Sequence, residues 1–593
     1  MQEQRSEKSL EALNKLVPHF CHLIRDGHKS TQLANVLVPG DLVTFRTGDR
    51  VPADVRLVSC AQLEIDESSL TGETKPAVKQ TEPIARDFHH GGLSISERSN
   101  IAFMGTLVKN GHGTGVVVGT GMQSEFGVVF SMMQEVDDRK TPLQLSMDEL
   151  AKKLSAISFA VIAVICLIGV WQQRSWLEMF TIGVSLAVAA IPEGLPIVVT
   201  VTLALGVLRM SKRNAIVKKL PSVETLGSVS VICSDKTGTL TTNVMTVLKA
   251  YTVEHGIFDI ADAREDAQRF LFLVGNMCNH SHRDRKGLYV GQATEVALMN
   301  ALAAVGLDDQ RATLQSPTHE PFNSERKTQS VSGVFASISP DRQTVFLSGA
   351  LEAVLRQCRF YLRANNSTAA LEPGMQKVIA GKAADLAASG LRVVAMAYGL
   401  DADAMVFVGF QAMMDPPRPG VDEAISLLNT GGVQVVMITG DAEETALAIA
   451  RQLGIKVSAG SKGCLTGREI DLLSQRQLTD RVANVSVFAR TTPRHKMAII
   501  EAFQTRGAVV AMTGDGVNDA PALKMADIGV AMGKGGTDVA KEAADVILVD
   551  DNFTTLLPAV EEGKGMASPL RRLVSRTKLT SAFQGSLPTS RIF

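Results

Sequence analysis

The segment DKTGTLT, residues 235–241, directly follows the apolar, strand-like segment SVSVICSD. Asp235 is therefore predicted to lie at the end of a strand, where its carboxylate can attack a phosphoryl group and form a covalent intermediate. Such a transfer needs cations and hydrogen-bond donors to offset the charge on the phosphoryl oxygens. The Thr-Gly-Thr turn offers hydroxyls and backbone N–H groups, and Gly238 lets the backbone come close. The segment thus indicates phosphoryl-transfer chemistry at Asp235.

Two later segments repeat the same design of an apolar strand followed by an acidic loop, namely VQVVMITGD and AVVAMTGDGVND. Strands that end in catalytic loops are typical of a doubly wound parallel α/β sheet with its site at the carboxyl edge. We predict that residues 211–244 and 414–562 form the two parts of this phosphorylation domain. Residues 245–413 have a different sequence pattern, in which helix-like and strand-like segments are mixed. This pattern predicts an inserted α+β domain.

The segment before this sheet domain has a different sequence pattern. Residues 33–138 contain short alternating runs with Pro-Gly, Thr-Gly and Asp turn signals, which predict a β-rich domain. Residues 1–32 are predicted to form a stalk-like amphipathic helix, and residues 563–593 form a basic, polar tail.

Two long uncharged runs predict membrane helices over residues 150–174 and 177–210, the second interrupted only by Glu193. Trp171 and Trp176 lie at the short link between the runs, where an interfacial aromatic belt is expected. Basic residues at both outer flanks place the large soluble parts on the cytosolic side. The alternative is a pair of buried core helices.

Glu193 lies about 14 residues from either end of its run, some 20 Å along a helix at ~1.5 Å per residue. An acidic residue at that depth costs about 3 kcal/mol on insertion scales, so it suggests a function. Pro192 and Pro196 would break helical hydrogen bonds and free backbone carbonyls. Carbonyls and a carboxylate together form a hard-cation site, although a kinked helix with a protonated Glu193 is the alternative.

The length, the net charge and the cysteine content limit the class of protein. A chain of 593 residues is too long for one core and should form several domains. Its net charge of −1 gives no global field that would favour nucleic acid. The seven cysteines are scattered and never form CxxC, which argues against a disulfide framework or a zinc site and favours cytosolic soluble parts.

DKTGTLT resembles the phosphorylation motif of the P-type ATPases, whose sheet domain belongs to the broader haloacid-dehalogenase-like fold. The other motifs of that family follow in its order: TGET at 71–74, PEGLP at 192–196, MMDPPR at 413–418, TGD at 439–441 and TGDGVNDAP at 513–521. The resemblance extends to about Gly563. Within the family, the chain looks like the calcium-pump branch, most of all the secretory-pathway Ca²⁺/Mn²⁺ pumps.

The resemblance implies a role for each matching position. It implies that Asp235 is phosphorylated and that Glu73 positions the water that hydrolyses the phosphoenzyme. Residues implied to surround the phosphoryl group are Thr439, Lys496, Asn518 and Asp519. It also implies a Mg²⁺ site made of Asp235, Asp515 and the Thr237 carbonyl. The β-rich part would then be an actuator domain.

The inserted domain resembles the nucleotide-binding domain of the family. There Phe322 would stack on adenine, Glu295 would make a polar contact, and Lys327 and Arg392 would be cations, with Thr237 and Asn518 also on the nucleotide. Ser348 stands where the family has a lysine. The implied ligands of the transported cation are the carbonyls of Val188, Ala189 and Ile191 and the carboxylate of Glu193.

The implied function is ATP-driven transport of Ca²⁺, and of Mn²⁺ as a second candidate ion, with ATP and Mg²⁺ as cofactors. The implied location is a membrane of the Golgi or secretory pathway, and no nucleic acid partner is expected. Family members have ten membrane helices and two are found here, so the chain is expected to be truncated at both ends. The alternative is a truncated, non-pumping isoform that keeps ATP binding and phosphorylation or that acts as a regulatory or partner-binding fragment. Partner helices from another chain are a separate candidate partner.

Overall fold

A computed structural model provides the structure of the chain. It describes the following residues: 20–67, 70, 76–84, 95–134, 142–172, 175–189, 194–283, 287–323, 326–400, 405–457 and 463–566.

The first part of the chain forms an antiparallel sheet with the order β2-β1-β3-β7-β4-β5, and β6 pairs with β4. Its strands are β1 Phe20–Arg25, β2 His28–Leu33, β3 Leu42–Arg46, β4 Asp54–Asp66, β5 Ala77–Val78, β6 Ile101–Ala102 and β7 Leu107–Gly119. Alternate apolar side chains of the longer strands, such as Val43, Phe45, Val55 and Leu57, pack into one core. Helix α1, Glu125–Gln134, follows the sheet. The prediction of a β-rich domain is confirmed.

The prediction of a helix over residues 1–32 is wrong from Phe20 onward, and residues 1–19 lie outside the described part. Strands β1 and β2 form a hairpin in which Arg25 pairs with His28. Asp26 and Gly27 connect them, both with positive φ, at 52° and 76°. An Asp-Gly pair is the favoured sequence for a two-residue turn of this kind, because its twist matches that of the strands.

Three helices follow: α2 Pro142–Trp171, α3 Trp176–Ala189 and α4 Gly194–Ser211. Within the predicted membrane helix over residues 177–210 the structure describes α3 and α4, and residues 190–193 between them lie outside the described part. One membrane helix over this run stays a prediction. None of the helices built from described residues combines the length and apolar character needed to cross a membrane. The carboxyl-terminal half of α4 packs through Leu203 and Met210 against the core of the next domain.

The inserted domain is built on a mainly antiparallel sheet of order β11-β10-β20-β19-β16-β15-β14, with β17 parallel to β20 and β18 next to β17. Its strands are β10 Thr246–Thr252, β11 Gly256–Asp259, β14 Gln315–Asn323, β15 Thr328–Val334, β16 Gln343–Gly349, β17 Cys358–Leu362, β18 Thr368–Ala370, β19 Arg392–Gly399 and β20 Met405–Met414; a separate pair is β12 His282–Arg283 and β13 Tyr289–Val290. Helices α6 Asp266–Met277 and α7 Ala293–Ala304 cover one face, and α8 Leu351–Gln357 and α9 Pro373–Ala388 cover the other.

The phosphorylation domain surrounds this insertion in sequence and forms the sheet β22-β23-β21-β9-β24-β25-β26-β8, parallel except for β8. Its strands are β8 Ala215–Val217, β9 Val231–Asp235, β21 Gln434–Ile438, β22 Cys464–Thr466, β23 Val487–Ala489, β24 Val510–Gly514, β25 Ile528–Met532 and β26 Val546–Leu548. Its helices are α5 Ser222–Ser228, α10 Val421–Thr430, α11 Glu443–Gln452, α12 Gly467–Asp471, α13 Gln475–Arg481, α14 Pro493–Thr505, α15 Ala520–Met525 and α16 Asp538–Ala543. Buried side chains fill both faces of the sheet, so the doubly wound prediction is confirmed.

The β-rich domain packs on the phosphorylation domain through a small apolar cluster, which we call the docking cluster. Its members are Leu70, Phe103, Met104, Phe126, Val129 and Met133 from the β-rich side and Val517, Ala520 and Val539 from the other. Lys524 adds a polar contact, since its Nζ donates to the Met133 carbonyl at 2.8 Å. Helix α1 is therefore held mainly by burial against α15.

Val539→Asp should undock helix α1, because it places an unpaired carboxylate in the docking cluster, and burying a charge costs more than the roughly 1–3 kcal/mol of burying a neutral polar group. We expect the backbone amides of α1 to exchange hydrogen about tenfold or more faster, while the strands of the inserted domain keep their rates. The matched control is Asp538→Asn at the neighbouring position, whose side chain is 91% exposed. Hydrogen–deuterium exchange with mass spectrometry measures both, and unchanged exchange in α1 of the Asp variant would contradict the docking role.

Candidate active site

The predicted phosphoryl-site residues meet at the carboxyl ends of three neighbouring strands. Asp235 is the last residue of β9, Thr439 follows β21, and Asp515 follows β24. The register pairs Ile438 with Asp235, and β24 lies on the other side of β9. Because parallel strands end at a common edge, residues distant in sequence become neighbours there.

Lys496 places its charge between two of the carboxylates. Its Nζ lies 2.6 Å from Asp519 Oδ1 and 3.1 Å from Asp235 Oδ1. Helix α14 delivers this lysine: Thr492 caps the helix by accepting from the His495 N–H, and the proline at the first helical position fits the start of a helix. Burial lowers the pKa of Lys496, but the two carboxylates more than offset this and hold the pKa above its usual value. Lys496 therefore stays charged.

Three carboxylates, from Asp235, Asp515 and Asp519, each bring an oxygen to within 4.8 Å of the others. Burial first, and then the charges of Asp519 and Asp235, raise the pKa of Asp515 to about 8. Burial also raises the pKa of Asp235 to about 6, against the opposing charge of Lys496. One lysine does not balance three carboxylates, so the site attracts a further cation. Carboxylate oxygens are the ligands that Mg²⁺ prefers, and Asp235 and Asp515 fit this ion.

Asp519 is the least suited of the three to bind metal. One of its oxygens contacts Lys496, and the other accepts the backbone N–H groups of Asp515 at 3.2 Å and Gly516 at 3.1 Å. Its carboxylate therefore fixes the loop after β24 and orients Lys496.

The loop after Asp235 depends on Gly238. Its φ of 71° lies in the left-handed region, and a Cβ there would overlap Asp515 Oδ2. Thr237 beside it is extended, with φ −70° and ψ 133°. A glycine at this position lets the loop pass directly against the Asp515 carboxylate.

Two side chains of the MMDPPR motif hold this loop in place, although the sequence had suggested no role for them. Arg418 Nη2 donates to the Gly238 carbonyl at 2.8 Å and its Nε to the Thr241 carbonyl at 3.0 Å. Asp415 accepts from the hydroxyls of Thr241 and Thr242. The motif therefore joins the end of the inserted domain to the phosphorylation loop.

Lys236 and Asp441 form an ion pair beside the site, which sequence reasoning had also missed. The signal was present, since Lys236 follows Asp235 and Asp441 ends the TGD motif. Thr439 is buried; its hydroxyl accepts the Asp441 N–H at 3.2 Å, and its carbonyl accepts the Thr491 hydroxyl at 3.0 Å. These bonds fix the loop after β21.

The water-positioning candidate Glu73 lies outside the described residues. Leu70, three positions earlier, is described, and its carbonyl accepts from Asn518 Nδ2. This contact brings Leu70 next to Asn518. Asn518 Oδ1 is buried and has no partner among the described residues.

The nucleotide-site candidates lie on the inserted sheet. Glu295 in α7 is buried, whereas Phe322 is 51% exposed near the end of β14. Lys327 and Arg392 are exposed at the ends of β15 and β19. Ser348 is buried in β16.

The pairing of the strands shows where Lys327 and Arg392 lie relative to Asp415, at which the chain returns to the phosphorylation domain. Asn323, next to Phe322, pairs with Thr328, Thr328 with Gly349, and Gly349 with Ala395. Arg392 in turn pairs with Met413, two residues before Asp415. Lys327 and Arg392 therefore lie at the end of the sheet from which the chain returns to the phosphorylation domain.

The cation-site candidates are only partly described. Val188 and Ala189 are the last two residues of α3, whereas Ile191 and Glu193 lie outside the described residues.

Three family patterns match the chain. The P-type ATPase actuator domain matches residues 15–134, the P-type ATPase cytoplasmic domain N matches 268–420, and the haloacid dehalogenase-like hydrolase matches 495–556. These ranges coincide with the β-rich sheet, the inserted sheet and the carboxyl-terminal part of the phosphorylation sheet.

Similar proteins carry the same architecture. Calcium-transporting ATPase 1 of Schizosaccharomyces pombe is 51% identical over 99% of this chain and 67% of that protein. Calcium-transporting ATPase 1 of Yarrowia lipolytica is 51% identical over 98% of this chain and 65% of its own length. Calcium-transporting ATPase type 2C member 1 of Homo sapiens is 48% identical over 97% of this chain and 64% of its own length.

A solved structure of a zinc-transporting PIB-type ATPase in the E2.Pi state matches this chain with a TM-score of 0.66 at 23% identity. The match covers 99% of this chain and 81% of the solved chain. At that identity it supports the fold alone. The chain belongs to the P-type ATPase family. It spans about 65% of the length of the curated relatives it matches.

Asp515→Asn should weaken the pH dependence of stability. The pKa of Asp515 is about 8 in the folded protein, above the value of about 3.9 for a free aspartate, so stability falls as pH rises through about 8. Asparagine cannot ionise, so the melting temperature of the variant in EDTA should fall less between pH 6 and pH 8. Added Mg²⁺ at pH 8 should raise the melting temperature of the unaltered protein more than that of the variant.

The control for this experiment is Asp480→Asn, an exposed carboxylate in α13. Differential scanning calorimetry supplies the melting temperatures. Equal slopes with pH in the Asp515 variant and the unaltered protein would contradict the repulsion inferred for this site.

Proposed function

We propose that this protein is an ATP-driven calcium pump that forms an aspartyl-phosphate on Asp235. The observation that carries the proposal is the charge arrangement at one strand edge: Asp235 lies 3.1 Å from the Lys496 ammonium and within 4.8 Å of Asp515. A half-buried nucleophile beside a fixed cation and a metal-binding carboxylate suits phosphoryl transfer, which depends on position and charge compensation.

In the proposed reaction, an oxygen of the Asp235 carboxylate attacks the γ-phosphorus of ATP. A new oxygen–phosphorus bond forms, the bond to the β-phosphate oxygen breaks, and ADP leaves. Lys496 and the Thr439 loop would neutralise and orient the phosphoryl oxygens. Mg²⁺ held by Asp235, Asp515 and the Thr237 carbonyl would supply further charge compensation. Glu73 would then accept a proton from the water that hydrolyses the phosphoenzyme.

The nucleotide would bind on the inserted domain. Phe322 is exposed and offers its ring for stacking on adenine, and Glu295 offers an acceptor. Lys327 and Arg392 are proposed cations for the phosphate groups, because their end of the sheet leads to Asp415. Asn518 and Thr237 would contact the same phosphates at the phosphoryl site.

The transported ion is proposed to be Ca²⁺, with Mn²⁺ as the second candidate. The support is that the relatives named above are called calcium-transporting ATPases, and one of them is of type 2C. We propose that α2 to α4 belong to the membrane part and that the carbonyls of Val188, Ala189 and Ile191 bind the ion with Glu193. A Golgi or secretory-pathway membrane is the proposed location.

The alternative, a non-pumping chain that keeps ATP chemistry or only binds partners, is not favoured, because the relatives with about half of their residues identical are named as transporting ATPases.

Asp235→Asn should abolish phosphoprotein formation. With Mg²⁺ and ATP labelled at the γ-phosphate, we expect the unaltered chain to form an acid-stable phosphoprotein that hydroxylamine cleaves, as an acyl phosphate requires. Asparagine has no carboxylate to attack phosphorus, so label should fall to background. The matched control is Asp527→Asn in the same domain, which should keep its label. Unchanged labelling of the Asp235 variant would reject the assignment.

Glu193→Gln should abolish ion transport while leaving the soluble domains folded, because it removes the only acidic side chain proposed at the cation site. The protein, expressed from its intact gene and reconstituted into sealed vesicles, should accumulate Ca²⁺ when ATP and Mg²⁺ are added. Competition by Mn²⁺ would identify it as a second substrate. The control is Glu178→Gln, an acidic residue at the start of α3. Full Ca²⁺ accumulation by the Glu193 variant would refute the proposed site.

A further inference from the structure

Two histidines lie at the same face of the inserted domain as Glu295 and have no role in the reaction described above. His280 follows helix α6, and His319 lies in strand β14; their ring centroids are 5.2 Å apart with the planes tilted by 58°. His280 Nδ1 lies 3.3 Å from Glu295 Oε1. Because a carboxylate only accepts, the imidazole Nδ1 carries the hydrogen in this contact.

The backbone around His280 is clamped from both sides. Arg311 Nη1 donates to the carbonyls of Asn279 at 3.0 Å and Ser281 at 2.5 Å, the residues on either side of the histidine. Asn279 Nδ2 in turn donates to the Glu295 backbone carbonyl at 2.7 Å. The backbone that carries the His280 imidazole is therefore held in a fixed position relative to Glu295.

A β-bulge turns His319 and Phe322 to the same side of the sheet. The pairing of β14 with β15 contains one extra residue between Glu320 and Asn323. In a regular strand, positions 319 and 322 would face opposite sides, and the extra residue reverses this alternation. His319 pairs with Val331, which is buried beneath α6 and α7. Both rings thus lie on the side of the sheet that carries Glu295.

Ser348 contributes no charge to this face. It is 1% exposed and hydrogen-bonds to the Cys278 thiol. It pairs with Gln329, whose Nε2 donates to the Cys278 carbonyl at 2.8 Å. Both side chains are therefore engaged within the domain, whereas His280 and His319 are exposed at the surface above them. A base bound against Phe322 would lie on the same side of the sheet as these two histidines.

We propose that His280 is a positioning residue and His319 a contact residue of the nucleotide site: His280 aims the Glu295 carboxylate at the 6-amino group of adenine, and His319 closes the site beside the base. The proposal rests on the proposed binding of ATP to this domain. A carboxylate attracts the amino group of adenine, which donates hydrogen bonds, and repels a 6-oxo group, which only accepts. The pair therefore sets the preference of the site for 6-aminopurines over 6-oxopurines.

Equilibrium binding of ATP and of inosine triphosphate to the full chain tests this, in EDTA so that no phosphoryl transfer competes. Without the imidazole, Glu295 loses a charge-assisted hydrogen bond, so His280→Ala should reduce the ratio of ATP to inosine triphosphate affinity by about tenfold. His280→Phe keeps the ring but no nitrogen and should lose the same discrimination. His280→Asn keeps an N–H donor and should restore most of it.

Three further variants separate positioning from general damage. In a Glu295→Gln background, His280→Ala should change the ratio no further, because the residue acts through the carboxylate. His319→Ala should weaken both nucleotides about equally, since it removes a contact and not the acceptor. His282→Ala, an exposed histidine in β12 two positions away, is the matched control and should change neither affinity.

The outcomes distinguish this inference from the proposed function. Saturable ATP binding with an unaltered ratio in both His280→Ala and His280→Phe would overturn the inference and leave the proposed function standing. If His280→Ala does not fold, His280→Phe and His280→Asn decide the question by the same ratio. An unaltered chain that shows no saturable ATP binding would overturn both.

Discussion

The repulsion among three carboxylates, of which Asp519 is buried and Asp235 and Asp515 are half-buried, is the constraint on which the rest of the structure depends. Asp235, Asp515 and Asp519 approach within 4.8 Å at one sheet edge, with Lys496 as the cation in contact with two of them. Such an arrangement is unfavourable in isolation, and burial makes it more so. It persists because the strands, helix α14 and the loop after β24 hold each charge in place. The remaining imbalance is what makes the site ready for a divalent cation and a phosphoryl group.

The inserted domain joins the phosphorylation domain next to the loop that begins with Asp235. Asp415 and Arg418 lie at the return point of the chain and bond to the loop that begins with Asp235. A movement of the inserted domain at this point would act directly on that loop. The strand register places Lys327 and Arg392, the cations proposed for the nucleotide, at the end of the inserted sheet that leads to Asp415.

The β-rich domain contacts the phosphorylation domain close to the loop after β24. The docking cluster is small and apolar, and its polar contacts include Lys524 with the Met133 carbonyl and Asn518 with the Leu70 carbonyl. Asn518, one residue before Asp519, therefore takes part in the contact between the two domains.

The sequence by itself determined the parallel sheet and the insertion, because a strand period followed by DKTGTLT or TGD is a local pattern, and it singled out Asp235 as the proposed nucleophile. It failed at residues 20–32, which form a hairpin in which Asp26 and Gly27 adopt positive φ. Only the tertiary structure decided which charges meet. The ion pair of Lys236, the anchoring by Arg418 and the contact of His280 with Glu295 all join residues from different elements. Such contacts depend on strand register and helix placement, which no segment of sequence carries alone.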